Sequence, residues 1–145
     1  MKTICLYFEI HHNIHLKRYR FFDIGTDHYY YDDFENEQSI TETAEKSYIP
    51  ALNALISMAK ANPGYFKCAI SLSGTAIEQL ENYAPDVLEL LGELNETGCV
   101  EFLAEPYSHG FSSLKDPATF HDEVKRVCKK IKLLFGQEPT VFRNS

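Results

Sequence analysis

Apolar and polar residues alternate with a period of two over four short runs, and with a helical period between them. TICLYFEI (3–10), FKCAISL (66–72), CVEFLA (99–104) and TVF (140–142) read as strands. SITETAEKSYIPALNALISMAKANPG carries the first helical region, with Ser39 and Glu42 in a capping-box pattern and Asn62-Pro63-Gly64 as a stop. Pro50 predicts a kink there or a second helix start. Two shorter helices, at about 75–82 and 86–97, are divided by Pro85 and closed by Gly98. Asp116-Pro117 opens a last helix as cap and first-turn proline. Its apolar stripe is Phe120, Val124, Val127, Cys128, Ile131, Leu134 and Phe135, and Gly136 ends it. A long aromatic loop fills the stretch from about His12 to Gln38.

Strands alternating with helices point to a parallel α/β sheet. A parallel sheet needs both faces covered, and this sequence breaks off in or just after its fourth strand. Residues 1–145 therefore read as the N-terminal part of a larger α/β barrel or open sheet.

Each strand has one apolar face. Ile4, Leu6, Phe8 and Ile10 share a face, as do Phe66, Cys68, Ile70 and Leu72, and Val100, Phe102 and Ala104. The opposite faces turn polar toward their C-terminal halves. In parallel strands Glu9, His11, Ser71, Ser73, Glu101 and Glu105 are expected to converge at the C-terminal mouth, where such sheets hold their active sites. A carboxylate facing inward is costly unless it is paired or used. The competing reading is a buried polar network that serves only the fold.

The segment FEIHHNIH (8–15) raises a metal site, since histidine is the commonest metal-binding side chain. Alternation weakens it: His11 and His12 point to opposite faces, and His15 lies beyond the strand. His12 and His15 read as loop residues. HYYYDDF (28–34) is either a platform for sugar rings or a loop that packs its own aromatics, and the second reading is favoured. Pro106-Tyr107-Ser108-His109-Gly110 follows the third strand at the same mouth, which makes Tyr107 and His109 candidate ligand contacts.

Charge and composition narrow the partners. The net charge of −7 argues against nucleic acid and against a basic membrane-surface protein. No apolar run approaches the ~20 residues that span a bilayer, and Glu9 breaks the N-terminal run before it could serve as a signal peptide. Cys5, Cys68, Cys99 and Cys128 are widely spaced and read as buried thiols in a reduced cytoplasm, not as disulfides or zinc ligands. Phosphate-binding glycine loops and the G-x-S-x-G elbow are absent. Nothing calls for a cofactor.

Several stretches, in order, resemble glycoside hydrolase family 57, the α-amylase and glucanotransferase group. They are ICLYFEIHHNIHLKRYRFFDIG, SLSGTAIEQLENYAPDV, TGCVEFLAEPYSHGFSSL and LFGQEPTVFRNS. The resemblance implies the N-terminal portion of an incomplete TIM-like (β/α)7 barrel, acting by retention on α-1,4-glucans such as starch, glycogen or maltodextrin. His11 matches the histidine of the family's His-Gln-Pro block, which contacts sugar, while His12 and Asn13 depart from that pattern. Gly98 and Glu101 match a Gly-x-x-Glu block. In amylase-type members the nucleophilic glutamate comes just after the position of Ser145, and the general acid lies further on. Retention needs two carboxyl groups about 5 Å apart. By this resemblance residues 1–145 hold neither catalytic group and are inactive alone. They supply substrate-binding residues: His11, Glu101, Glu9, Tyr107 and His109. The rival readings are a metal-dependent deacetylase that uses His11, His109 and carboxylates as ligands, and a truncated chain that only binds glucan.

Overall fold

The computed structural model describes residues 4–143. Strands β1 (Leu6–Ile10), β2 (Cys68–Leu72) and β3 (Val100–Leu103) form a parallel sheet in chain order. The register sets Tyr7, Ala69 and Glu101 in one row and Glu9, Ser71 and Leu103 in the next. Phe142 then bridges Ala104 in parallel. The Ala104 N–H donates to the Val141 carbonyl, and the Arg143 N–H to the Ala104 carbonyl, both at 2.9 Å. The fourth run thus lies beside β3, where the sequence order put it. Below this bridge Gln137 serves the edge of β3. Its Oε1 accepts from the Phe102 N–H at 3.1 Å and its Nε2 donates to the Val100 carbonyl at 3.0 Å. A side-chain amide here stands in for a neighbouring strand.

The helices are α1 (Asp33–Thr43), α2 (Ile49–Ala61), α3 (Gly74–Tyr83), α4 (Pro85–Glu96) and α5 (Pro117–Phe135). Ile10, Ile70, Leu72 and Phe102 bury the apolar face of the sheet against α2 to α5 in a single core. Phe135 of α5 stacks on Phe102 with ring centroids 4.4 Å apart. Sequential strand order with one helical layer is the singly wound arrangement, distinct from doubly wound sheets whose strand order reverses.

The first helix starts earlier than the capping-box pattern predicts. Asp32 is the cap, its Oδ1 accepting from the Glu35 N–H at 3.1 Å, and Asp33 and Glu35 lie in the first turn at the positive end. Ser39 is therefore inside α1, where its hydroxyl meets His12 Nε2 at 3.0 Å. Pro50 lies in the first turn of a second helix, α2, as one of the two sequence expectations had it. A π turn, Ala44–Tyr48, joins α1 to α2, and the Ile49 N–H reaches the Ala44 carbonyl. Proline lacks the N–H and crowds the carbonyl four residues back, and a wider turn relieves both conflicts.

The later helices keep their expected limits, with Gly98 and Gly136 in the left-handed region at φ 69° and 72°. Leu134 departs from the apolar stripe of α5 and is exposed, whereas Val127, Ile131 and Phe135 are buried. Cys68 and Cys99 are buried and Cys128 half-buried, but Cys5 is exposed, ahead of β1. Burial pushes the Cys68 thiol up to about 11.

Gly74, the first residue of α3, has a packing role. A Cβ there would overlap the ring of Tyr107, which is 4% exposed, bonded through its hydroxyl to Glu78 and covered by the Arg126 guanidinium 3.9 Å from the ring centroid. The ring cannot yield without breaking these contacts. Gly74→Ala is expected to destabilise the chain by about 1–3 kcal/mol, the usual range for overpacking, as read from the midpoint of urea unfolding.

Candidate functional site

The polar faces of the strands meet a loop at their carboxyl ends. Continuing the register past the last ladder pairs brings His11, Ser73, Glu105 and Arg143 to one level, above the row of Glu9 and Ser71. Ser73 holds the level together. Its hydroxyl accepts from the Ala76 N–H at 3.2 Å as cap of α3, and meets His11 Nδ1 at 2.8 Å. The serine hydrogen donates to Nδ1, so the neutral imidazole carries its own hydrogen on Nε2. Nε2 donates to Asn13 Oδ1 at 3.0 Å. The Tyr48 hydroxyl donates to the His11 carbonyl at 3.2 Å. Asn13 is exposed.

His109 lies flat against His11, with ring centroids 4.1 Å apart and planes at 17°. Its Nε2 stands 3.3 Å from Glu9 Oε1 and its Nδ1 3.7 Å from Glu105 Oε1. The imidazole thus spans two carboxylates from opposite edges of the ring. His109 adopts φ 52°, a left-handed conformation that costs a residue with a Cβ roughly 1–2 kcal/mol. Its N–H closes the turn onto the Pro106 carbonyl at 3.1 Å. Arg143 completes the group: its Nη1 pairs with Glu9 Oε2 at 3.0 Å and its guanidinium lies 4.2 Å from the Tyr7 ring centroid. The Tyr7 hydroxyl meets Ser71 Oγ at 2.6 Å.

Glu105 is 2% exposed. Burial pushes its carboxyl up to about 7; a hydrogen bond from Ser71 opposes the rise, the charge of Glu9 adds to it, and His11 and Arg143 oppose it.

The six strand-face residues do not all converge. Glu9, His11, Ser71, Ser73 and Glu105 meet at the mouth. Glu101 pairs with Ala69, is exposed, and lines a hollow with Lys67 and Gly98 at the other end of the strands. Four residues of strand from Glu101 to Glu105 place it about 13 Å below the level of His11. Alternation gives the face of a residue but not its depth, and that is why the expectation that Glu101 sits at the mouth fails. Tyr107 follows β3 as expected, but its ring is buried against α3 and Arg126, away from the mouth. His12 points to α1, and burial, then His15 and His11, lower its pKa. His15 is tied to α1 through Asn36, which accepts from its N–H at 2.7 Å. Sequence reasoning passed over Arg143. The bridge of Phe142 to Ala104 sends the next side chain to the polar face, and only the folded sheet shows that pairing.

Glu9, Glu105 and His109 each bring a ligand atom to within 4.8 Å of the others, a spacing that could close on a cation. The donor chemistry fits poorly. His109 offers different nitrogens to the two carboxylates, Arg143 already neutralises Glu9, and both nitrogens of His11 are engaged. His109 lies between the two acidic side chains at 3.3 and 3.7 Å, and Arg143 balances the charge of Glu9 from the other side.

A singly wound parallel α/β sheet with its polar groups at the carboxyl ends of the strands has them where such sheets carry active sites. The model of Glycosyl hydrolase family 57 matches residues 5–145, and the chain belongs to that family. A protein of Methanocaldococcus jannaschii named "Putative alpha-amylase" is 32% identical over 117 residues, covering 80% of this chain and 25% of that protein. The crystal structure of 4-α-glucanotransferase from Thermococcus litoralis matches with a TM-score of 0.62 at 19% identity, over 71% of this chain and 15% of the other. The chain thus spans about a quarter of the curated relative and less of the solved one. At that identity the solved structure bears on the fold alone. Among the described residues no helix is long and apolar enough to cross a membrane.

The buried carboxyl and the carboxylate–histidine cluster each give a measurable outcome. A carboxyl whose folded pKa is raised to about 7 from an ordinary 4.5 holds its proton in the folded state while the unfolded chain releases it. Its contribution to stability therefore falls as pH rises from about 4.5 to about 7 and then levels off. Glu105→Gln is expected to flatten that part of the stability–pH curve and to melt higher than the parent above pH 7, as read by thermal denaturation across pH. Zinc or EDTA is expected to leave the melting temperature of the parent chain unchanged, and a shift with stoichiometric zinc would restore the metal reading.

Proposed function

We propose that residues 1–145 form part of the substrate-binding rim of a retaining glycoside hydrolase acting on α-1,4-glucans. In this reading the chain is the N-terminal portion of an incomplete (β/α)7 barrel. Family membership supports the reaction class. The observation that carries the placement is His11, at the carboxyl end of β1, with Nδ1 fixed by Ser73, one ring face against His109 and its Nε2 hydrogen directed to an exposed partner. A pre-oriented donor beside the part-exposed carboxylate of Glu9 suits a sugar hydroxyl, which both accepts and donates.

In this assignment His11 and Glu9 bind hydroxyls, and His109 holds the two in place from below the ligand. Tyr107 supports α3 and the turn that carries His109. Glu101, low on the sheet, binds substrate only if the glucan or another strand reaches that depth. The nucleophile is the residue after Ser145, and the general acid belongs to a later strand. Residues 1–145 are therefore inactive alone, with α-glucan as their ligand. The four unpaired thiols agree with a cytoplasmic protein.

The test uses the longer protein that contains this chain. A glutamate is expected immediately after Ser145, and any other residue there would sink the nucleophile assignment. In that protein His11→Ala is expected to lower kcat/KM on maltooligosaccharides about 10–100-fold, the effect of losing an oriented hydrogen bond in the site. Unchanged turnover would reject the role of His11.

A further inference from the structure

A second hollow lies between the loop after β1 and α3, lined by none of Glu9, His11, Glu105 and His109. It encloses about 210 Å³, the share of about seven waters at ~30 Å³ each. That suits a single sugar ring rather than a chain of them. Tyr29, Tyr31 and Tyr83 form its walls, and Asp33, Asn36 and Gln79 bring polar groups to it.

Its chemistry points to a particular ligand. Tyr29 and Tyr31 are about half exposed and meet edge to face, with centroids 5.7 Å apart and planes at 75°. Lys17 covers one ring, 4.8 Å from the centroid of Tyr29. Asp33 Oδ1 accepts from the Tyr29 hydroxyl at 2.6 Å and, at 3.5 Å, from that of Tyr83. Gln79 is 4% exposed, and its Nε2 donates to the His12 and Asn13 carbonyls at 3.0 and 3.2 Å. Its Oε1 is buried without a hydrogen-bond partner. An acceptor left in that state costs on the order of 1–3 kcal/mol.

The walls are also fixed in advance. Asn36 bonds both the N–H and the carbonyl of His15, and Lys17 and Asp32 pair with Tyr30 and His15 across the base of the loop. Aromatic faces for C–H groups, beside polar side chains in a preformed hollow, are what a sugar ring requires. A cationic peptide fits less well. The Asp33 oxygen that faces the tyrosines is already shared between two neutral hydroxyls, and Lys17 brings a positive charge to the rim.

We propose that this hollow is a second carbohydrate-binding site, separate from the mouth of the sheet, that takes one pyranose ring against Tyr31. That the sugar is a glucosyl unit rests on the function proposed above; that the hollow takes a sugar does not.

The test is calorimetric titration of the longer protein with maltotetraose, and with lactose and cellobiose as controls. The expected result is two classes of maltotetraose site. Tyr31→Ala should weaken one of them about tenfold or more and leave the other intact, and His11→Ala should do the reverse. Tyr31→Phe, which keeps the ring, should bind as the parent does, and equal melting temperatures among the three show that folding is not the cause. If Tyr31→Ala leaves every isotherm unchanged while His11→Ala loses binding, the second site is overturned and the glucan reading stands. If lactose or cellobiose binds through Tyr31 and maltotetraose does not bind at all, the site stands and the glucan reading falls. Absence of binding by all three sugars overturns both.

Discussion

The hydroxyl of Ser73 is the point on which sheet, helix and site all depend. Its oxygen accepts the Ala76 N–H that starts α3 and lies 3.2 Å from the Thr75 hydroxyl, while its single hydrogen goes to His11. The backbone N–H of the same residue closes the last rung of the sheet on the Ile10 carbonyl at 3.2 Å. A serine oxygen has two lone pairs and one hydrogen, so this inventory is complete when Thr75 donates. The end of β2, the first turn of α3 and the tautomer of His11 are therefore one arrangement. The close seat of Tyr107 on Gly74 belongs to it too, because the helix start cannot shift without moving the histidine.

Around that point the chain manages an excess of negative charge. Glu9 and Glu105 come from different strands to the same imidazole, and they differ in burial. Glu9 has Arg143 to hold its charge. Glu105 has Ser71, one edge of His109 and the more distant charges of His11 and Arg143, and its burial outweighs them and keeps its proton bound to higher pH. Burial sets Glu105 apart from its part-exposed neighbour, although both reach the same ring.

Much of this was legible in the chain. Period-two alternation separated the apolar faces of all three strands from the polar ones, and it sent His11 and His12 in opposite directions, one to the mouth and one to α1. The later helices declared themselves through Pro85, Gly98, Asp116 and Gly136. Other features depended on depth or competition, which a linear pattern does not carry. Glu101 has the right face but the wrong level. Ser39 and Glu42 make a good capping pattern, yet Asp32 offers a better start upstream, so the helix overruns them. Arg143 acts across the sheet on Glu9, a partner far away in sequence. The aromatic loop does pack its own rings, as expected, but by doing so it walls a hollow, and no property of HYYYDDF alone predicts that.

The π turn between α1 and α2 sets the phase of the two helices it joins. One turn of Ala44–Tyr48 holds a residue more than an α-helix would, and each added residue rotates the rest of the helix by about 100°. The helix on one side of it offers Ser39 and Asn36 to the loop, and the helix on the other offers Leu52 and Leu55 to the sheet. Tyr48, the last residue of the turn, reaches the His11 carbonyl. Shortening the turn by a residue would make a more regular helix and a poorer protein. It would set the two halves out of phase, so that only one of them could keep its partners.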